Sequence, residues 1–228
     1  MIPGRTELLP AQSIFYVAFV DPSGGRRDQF TVAVAHRCGD KAIIDMIRAW
    51  KPPFDPSEVV KECAETLRPY RIRTIVGDAY GGEWPREQFR KHNIQYTVSA
   101  LNRSQLYLNL IPTINSKRCE LPADRRMIEE LRRLGRRRGR TGKDSIDHPA
   151  HLSDDLANST AGAIDLVITK APMNKNAVPL GLDVGLAPSC VRPSGHWRWT
   201  NHSRINVWSR SRGGTAEYGL RDTSSKPF

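Results

Sequence analysis

The 228-residue sequence has little of what marks secreted, zinc-binding or membrane-spanning proteins. Its four cysteines form no CxxC pair, and none lies at zinc-ligand spacing with a histidine. A disulfide framework is uncommon in a chain of this length without a secretion signal, so we interpret all four as free thiols in a reducing cytoplasm. No run approaches the roughly 18 apolar residues of a membrane span. We therefore predict no membrane partner.

Acidic residues are outnumbered by basic ones, and this surplus indicates a polyanionic partner. Lys and Arg total 35 against 24 Asp and Glu, which gives a formal net charge of +11. Charge alone is equally compatible with a soluble basic protein that binds no polyanion. The surplus is concentrated between residues 132 and 143, where no acidic residue occurs. We predict that this stretch is a flexible loop that contacts DNA phosphates through Arg132, Arg133, Arg136, Arg137, Arg138, Arg140 and Lys143.

The order of apolar and polar residues predicts an α/β fold with a mixed central sheet. Short spacing between the first three strands favours an antiparallel β1-β2-β3 meander, and a crossover helix would make the later strands parallel. We expect strands at 14–20, 29–36, 41–50, 72–78, 94–100 and 118–121, and helices at 57–67, 85–92, 103–115, 123–134 and 153–169. Ser57 is the predicted N-cap of the first helix. We expect a leader or linker over 1–13, one domain over 14–170, and a basic, mostly irregular tail over 171–228.

Aspartates occur where two predicted strands end and where a helix begins. Asp21 and Asp78 close the strands at 14–20 and 72–78, and the Asp154-Asp155 pair opens the last helix. Strand ends converge at one sheet edge, and a helix packed across the sheet can bring its first turn to the same edge. Carboxylates gathered there would favour Mg²⁺ or Mn²⁺, and two such ions can cleave a phosphodiester.

Simpler roles for the same aspartates remain open. Asp21 and Asp78 could each open a turn, and Asp154 and Asp155 could be ordinary first-turn acids of a helix. His151 stands three residues before Asp154 and could be a metal ligand, a proton shuttle or a surface-loop histidine. The joint pattern on a basic chain favours a metal-dependent nuclease.

Four segments together resemble the C-terminal nuclease domain of tailed-bacteriophage large terminase subunits. They are VDPSGG at 20–25, GDAYGGEWPREQFRKHNIQY at 77–96, SQLYLNLIPTINSKRCEL at 104–121 and DSIDHPAHLSDDLANSTAGAI at 144–164. The resemblance covers residues 14–170. It implies a ribonuclease H-like fold and two-metal endonuclease cleavage of double-stranded viral DNA during genome packaging, in the host bacterial cytoplasm.

The resemblance also implies roles for individual residues and partners. Asp21 matches the first metal-binding aspartate of the family and Asp78 the second, and the third falls in the Asp154-Asp155 pair. His151 matches a position where some members carry a histidine close to the metal. The implied partners are double-stranded DNA, a terminase ATPase domain, the small terminase subunit and the portal.

The tail beyond Lys170 resembles nothing in the family, and the sequence departs from full-length large terminases in a second respect. It contains no GxxxxGK[S/T] phosphate loop, so we expect no ATP hydrolysis from this chain. Two other functions remain open: an integrase, transposase or junction resolvase of the same fold, and a non-catalytic DNA-binding packaging module. The GGEWPREQF and DDLAN segments argue against the first of these.

Overall fold

The computed structural model describes residues 4–138, 144–149 and 151–171, together with the backbone of 208–212 and 215–219. The strands are β1 (Tyr16–Asp21), β2 (Phe30–Cys38), β3 (Lys41–Trp50), β4 (Thr74–Gly77), β5 (Gln95–Val98), β6 (Cys119–Glu120), β7 (Gly135–Arg138), β8 (Asp144–Asp147), β9 (Trp208–Arg212) and β10 (Thr215–Gly219). The helices are α1 (Pro56–Leu67), α2 (Trp84–Lys91), α3 (Arg103–Asn115), α4 (Arg125–Arg133) and α5 (Asp155–Thr169). The 3-10 turn Arg68–Tyr70 follows α1.

A six-stranded mixed sheet with the order β5-β4-β1-β2-β3-β6 confirms the predicted fold class. Strands β1, β2 and β3 pair antiparallel, because only short connections separate them. Helix α1 crosses over between β3 and β4, so β4 pairs parallel to β1 and β5 pairs parallel to β4. The carboxyl ends of β1 and β4 therefore meet at the same edge of the sheet.

Both faces of the sheet carry a hydrophobic core, because successive side chains of a strand point to opposite faces. Phe19 of β1 and Ile44 of β3 belong to the core on the side of α3, α4 and α5. Val20 of β1 and Val32 of β2 belong to the opposite core, on the side of α1 and α2. The sheet is thus covered by helices on both faces, and its strand ends are left at the edges to carry polar groups.

Helix α5 packs very close to the centre of the sheet. Gly162 makes this approach possible, since a β-carbon at that position would overlap the ring of Phe19 in β1. The helix is buried along nearly its whole length. Its first turns consequently lie over the end of β1.

The Arg-rich stretch is ordered, which corrects the predicted flexible loop over the residues that the structure describes. Arg132 and Arg133 form the last turn of α4, where basic side chains interact favourably with the helix dipole. The following residues form β7, which pairs antiparallel with β8, and all four residues of β7 are exposed. Arg140 and Lys143 lie outside the described residues.

Three smaller expectations need correction or comment. The N-cap of α1 is Asp55 rather than Ser57, since the Asp55 carboxylate accepts a hydrogen bond from the Ser57 backbone N–H. Cys63 and Cys119 are free thiols as predicted, whereas Cys38 is disulfide-bonded, because sequence spacing does not show which thiols meet in space. Cys190 lies outside the described residues.

The predicted tail over 171–228 falls mostly outside the described residues. Its described part includes β9 and β10, which pair antiparallel in a second unit of the chain. Within the described residues, no helix is both long and apolar enough to cross a membrane.

Candidate metal centre

Asp21 and Asp78 lie together at the shared end of β1 and β4. Asp21 is the last residue of β1, and Asp78 follows β4 directly and donates its backbone N–H to the Val20 carbonyl at 3.2 Å. The Tyr96 hydroxyl of β5 donates to the Asp78 carbonyl at 2.6 Å. A side chain at Gly77 would occupy the place of the Tyr96 ring. These contacts fix the backbone from which both carboxylates project.

Asn158 of α5 joins the two carboxylates. Its Nδ2 donates to Oδ2 of Asp21 at 2.9 Å and to Oδ2 of Asp78 at 3.3 Å. Asn158 is fully buried, and its Oδ1 has no hydrogen-bond partner among the residues that the structure describes. The sequence analysis missed this residue, although its position one helical turn after the Asp154-Asp155 pair was a usable signal.

The two adjacent aspartates at the start of α5 have different partners. Asp154 accepts from Arg103 Nη1 on Oδ1 at 2.7 Å and from the Tyr107 hydroxyl on Oδ2 at 2.8 Å. Asp155 accepts on Oδ2 from the Gln29 backbone N–H at 3.1 Å and from the Ser153 hydroxyl at 2.6 Å. Both oxygens of Asp154 are thus engaged by α3, whereas Oδ1 of Asp155 has no such partner among the described residues.

The centre is acidic, and two of its carboxylates, Asp21 and Asp155, are buried. Burial raises the pKa of Asp21 to about 8; the nearby charges of Asp155 and Asp78 add to this rise, and the Asn158 hydrogen bond opposes it. Burial likewise raises the pKa of Asp155, against the hydrogen bonds from Ser153 and Gln29. Carboxylates in such surroundings are stabilised in their charged form by a cation.

Arg103 is the basic side chain that faces these acids. Burial opposes its charge, but the carboxylates of Asp154, Asp21 and Asp78 together raise its pKa. Its side chain is 39% exposed, whereas that of Asp154 is 2% exposed. Arg103 is therefore held by a buried carboxylate at one side and reaches solvent near the acidic centre.

The two candidate histidines differ in their surroundings. His151 is exposed, adopts a left-handed backbone conformation and makes no hydrogen bond or ion pair to any residue that the structure describes. His148 lies closer to the acids, with Nδ1 3.1 Å from Asp147 Oδ1 and 3.3 Å from Asp154 Oδ2. Ligand atoms of Asp147, His148 and Asp154 lie within 4.8 Å of one another. The ion pair with Arg103 already neutralises Asp154 in this second cluster.

Glu130 of α4 stabilises the start of α5. Its Oε2 accepts a hydrogen bond from the Ala157 backbone N–H at 2.9 Å, so it satisfies a free donor of the first helical turn. Burial raises the pKa of Glu130 to about 7, against the hydrogen bonds from the Ala157 and Leu156 backbone. This carboxyl fixes the helix end that carries Asp155 and Asn158.

The donor set fits a hard divalent cation. Asp21, Asp78 and Asp155 offer carboxylate oxygens, and the amide of Asn158, whose Oδ1 has no hydrogen-bond partner within the described residues, contacts Asp21 and Asp78. Carboxylate and carbonyl oxygens suit magnesium, manganese and calcium ions. Residues from β1, β4 and α5 therefore form a candidate metal centre at the sheet edge.

The mixed sheet with helices on both faces has the predicted ribonuclease H-like fold, and solved structures with a similar fold are nucleases of large terminases. The large terminase nuclease of thermophilic phage G20c with bound magnesium matches with a TM-score of 0.57 and 21% identity, over 70% of this chain and 92% of that one. The nuclease domain of the large terminase subunit of bacterial virus Sf6 matches with a TM-score of 0.52 and 13% identity, over 70% and 89% of the two chains.

The same G20c nuclease has also been solved with bound cobalt, at a TM-score of 0.57 and 20% identity over 70% of this chain and 92% of that one. In sequence comparison, no family model and no curated protein matches the chain. At these identities the comparisons show the fold, which is that of large terminase nuclease domains.

Proposed function

We propose that this chain is a metal-dependent endonuclease that cuts double-stranded viral DNA during genome packaging, as the nuclease part of a large terminase. The observation that supports it most is the meeting of Asp21, Asp78 and the start of α5 at one sheet edge, around Asn158. This arrangement occurs in a chain with the fold of terminase nucleases. The net charge of +11 suits a polyanionic substrate.

In this proposal Asp21, Asp78 and Asp155 hold two Mg²⁺ or Mn²⁺ ions. Bound there, the ions would activate water for attack on the phosphodiester and stabilise the leaving oxygen. Asp154 has a different role, because both its oxygens are taken by Arg103 and Tyr107. It orients Arg103, whose exposed guanidinium contacts the phosphate being cut. His151, which is exposed before the start of α5, is the candidate proton shuttle in this proposal.

DNA is held by the end of α4 and by β7. Arg132, Arg133, Arg137 and Arg138 are exposed there, and Arg136 is exposed but paired with Asp144. Arg140 and Lys143, beyond the described residues, belong to the same proposed surface. Contacts to phosphates position a protein without reading base sequence, so we expect weak sequence preference.

The resemblance to terminases defines the proposed setting. Partners would be a terminase ATPase domain, the small terminase subunit and the portal, in the cytoplasm of a bacterial host. No ATP hydrolysis is expected from this chain, which carries no phosphate loop of the P-loop type.

Cleavage of supercoiled plasmid with Mn²⁺ tests the proposal. The wild-type chain should give nicked and linear products, and Asp78→Ala should give none while it still binds DNA, since a ligand is lost and a negative charge is removed. Cleavage by Asp78→Ala at the wild-type rate would refute the proposed centre. Joined products would instead indicate an integrase or transposase, and DNA binding without any cleavage would indicate a non-catalytic packaging module.

A further inference from the structure

Asn158 presents the wrong end of its amide for a metal centre. Its Nδ2 group faces the carboxylates of Asp21 and Asp78, while its buried Oδ1 accepts no hydrogen bond from the described part of the chain. Buried side-chain oxygens rarely lack a partner in folded proteins, and each one requires an explanation. The residue is fully buried, so solvent does not satisfy this oxygen.

The present orientation suits the centre when no cation is bound. The two N–H bonds of Nδ2 satisfy one oxygen of each carboxylate and lessen the repulsion between them. With a divalent cation between the carboxylates, the same N–H bonds would point at a positive charge. The carbonyl end of the amide would then be the favoured neighbour, since carbonyl oxygens are common ligands of hard cations.

Turning the amide over does not break a bond on its other side. Within the described residues Oδ1 has no partner to lose, and after the turn Nδ2 would occupy the position that Oδ1 has now. One end of the amide lacks a partner in either orientation, so the group that faces Asp21 and Asp78 decides the preference. A divalent cation between these carboxylates favours the oxygen end.

We propose that Asn158 is an oxygen ligand of the metal ions, and that its side-chain amide turns over when they bind. This inference rests on the proposed metal-dependent nuclease function. It adds a fourth ligand, from the second turn of α5, to Asp21, Asp78 and Asp155. It also makes the amide a local sensor of metal occupancy.

Calorimetric titration of the whole chain with Mn²⁺ tests the ligand role. Asn158→Ala should weaken Mn²⁺ binding by at least about tenfold, because an oxygen ligand is lost. Asn158→Asp should bind at least as tightly as the wild type, since it keeps the oxygen. If Nδ2 only separates the carboxylates, Asn158→Ala removes a competitor of the ion and binds Mn²⁺ as tightly as the wild type or more tightly, which would overturn the inference.

Nuclear magnetic resonance of the wild-type chain tests the amide turn without a substitution. The Asn158 NH₂ signals, identified by their loss in Asn158→Asp, should move on addition of Mg²⁺ as the bonds to Asp21 and Asp78 are lost. The side-chain carbonyl carbon should shift with them. Unchanged NH₂ signals at saturating Mg²⁺ would overturn the inference even if Asn158→Ala failed to fold.

Asp78→Ala separates this inference from the proposed function. If Asp78→Ala weakens Mn²⁺ binding and Asn158→Ala does not, the metal centre stands and the role of Asn158 as a ligand is wrong. If neither substitution changes Mn²⁺ binding, both the centre and the inference are wrong. If both weaken it, both are supported.

Discussion

Arg103 donates from Nη1 to Oδ1 of Asp154 at 2.7 Å, across the junction between α3 and the start of α5. The Tyr107 hydroxyl binds the other oxygen of the same carboxylate. Both carboxylate oxygens of Asp154 are therefore hydrogen-bonded to side chains of α3. Its neighbour Asp155 is the aspartate of the pair with an oxygen left for an ion. Two residues that look alike in the sequence have different structural roles.

The first prediction compares Asp154→Asn with Asp155→Asn. Asp155→Asn should weaken Mn²⁺ binding by about 10- to 100-fold, because a charged ligand becomes neutral. Asp154→Asn should leave Mn²⁺ binding nearly unchanged and lower the free energy of unfolding by about 1–3 kcal/mol, since Arg103 loses a buried countercharge. Calorimetry with Mn²⁺ and urea unfolding in EDTA measure the two effects. Equal loss of Mn²⁺ binding in both variants would contradict the division of roles.

The second prediction concerns the close packing of α5 on β1. Gly162→Ala places a methyl group against the Phe19 ring, so the helix must move away from the sheet. We expect the free energy of unfolding to fall by about 1–3 kcal/mol. Cleavage should fall further than stability explains, because Asp155 and Asn158 move away from Asp21. Urea unfolding and plasmid cleavage on the same preparations test this.

A matched control and a rescue are available for Gly162. At Gly135 a β-carbon would meet only the Asp147 carbonyl oxygen, at 3.9 Å, so Gly135→Ala should be nearly neutral. Phe19→Leu should restore part of the stability lost in Gly162→Ala, because the smaller side chain gives the methyl group room. A double variant no more stable than the additive sum would show that Phe19 is not the obstacle.

The third prediction follows from the raised pKa of Glu130. Burial raises this pKa to about 7 in the folded chain, against an unfolded value of about 4.3. The folded state therefore binds the Glu130 proton more tightly than the unfolded state does. The resulting contribution to the free energy of unfolding is fully present below the unfolded pKa, and it is lost as pH rises through about 7. Glu130→Gln keeps an oxygen for the Ala157 N–H and does not titrate. Its melting temperature should fall less than that of the wild type between pH 5 and pH 8.

Glu129→Gln is the matched control for this experiment. Glu129 is partly exposed, and its hydrogen bond with Arg125 lowers its pKa, so it stays ionised from pH 5 to pH 8. The melting temperature of Glu129→Gln should fall between pH 5 and pH 8 by as much as that of the wild type. If the melting temperature of Glu130→Gln depends on pH as strongly as that of the wild type, folding does not raise the pKa of the Glu130 carboxyl.

The fourth prediction concerns phosphate contacts by β7. Arg137 and Arg138 are exposed and make no ion pair with any described residue, whereas Arg136 pairs with Asp144. Changing both Arg137 and Arg138 to Gln should weaken binding to all DNA sequences alike. The slope of log affinity against log salt should fall by about 1.8, at roughly 0.9 for each phosphate contact.

Arg68→Gln serves as the control for charge alone. Arg68 is exposed and follows α1, on the opposite face of the sheet from α4. Arg68→Gln removes the same charge as Arg137→Gln, so the two single variants differ in the position of the lost charge. An equal change of salt slope in both would show that net charge, and not the β7 surface, determines DNA binding.

The sequence determined the elements and the chemistry that they carry. Apolar runs and turn residues gave β3 and α3 at their observed bounds, and the order of strands and helices predicted the mixed sheet. Strand-end aspartates also predicted that Asp21 and Asp78 would lie together, because parallel neighbours end at the same edge. These features depend on local periodicity and on short connections, which are visible along a single chain.

Tertiary structure alone decided how the site is divided among its residues. Asp154 and Asp155 differ only in which partners their side chains reach, and those partners, Arg103 and Gln29, are about 50 and 125 positions away. Asn158 became part of the site because Gly162 lets α5 approach β1. Tertiary packing likewise made residues 132–138, the described part of the predicted Arg-rich loop, the end of α4 and β7. Such contacts join residues that are far apart in sequence, so local patterns do not encode them.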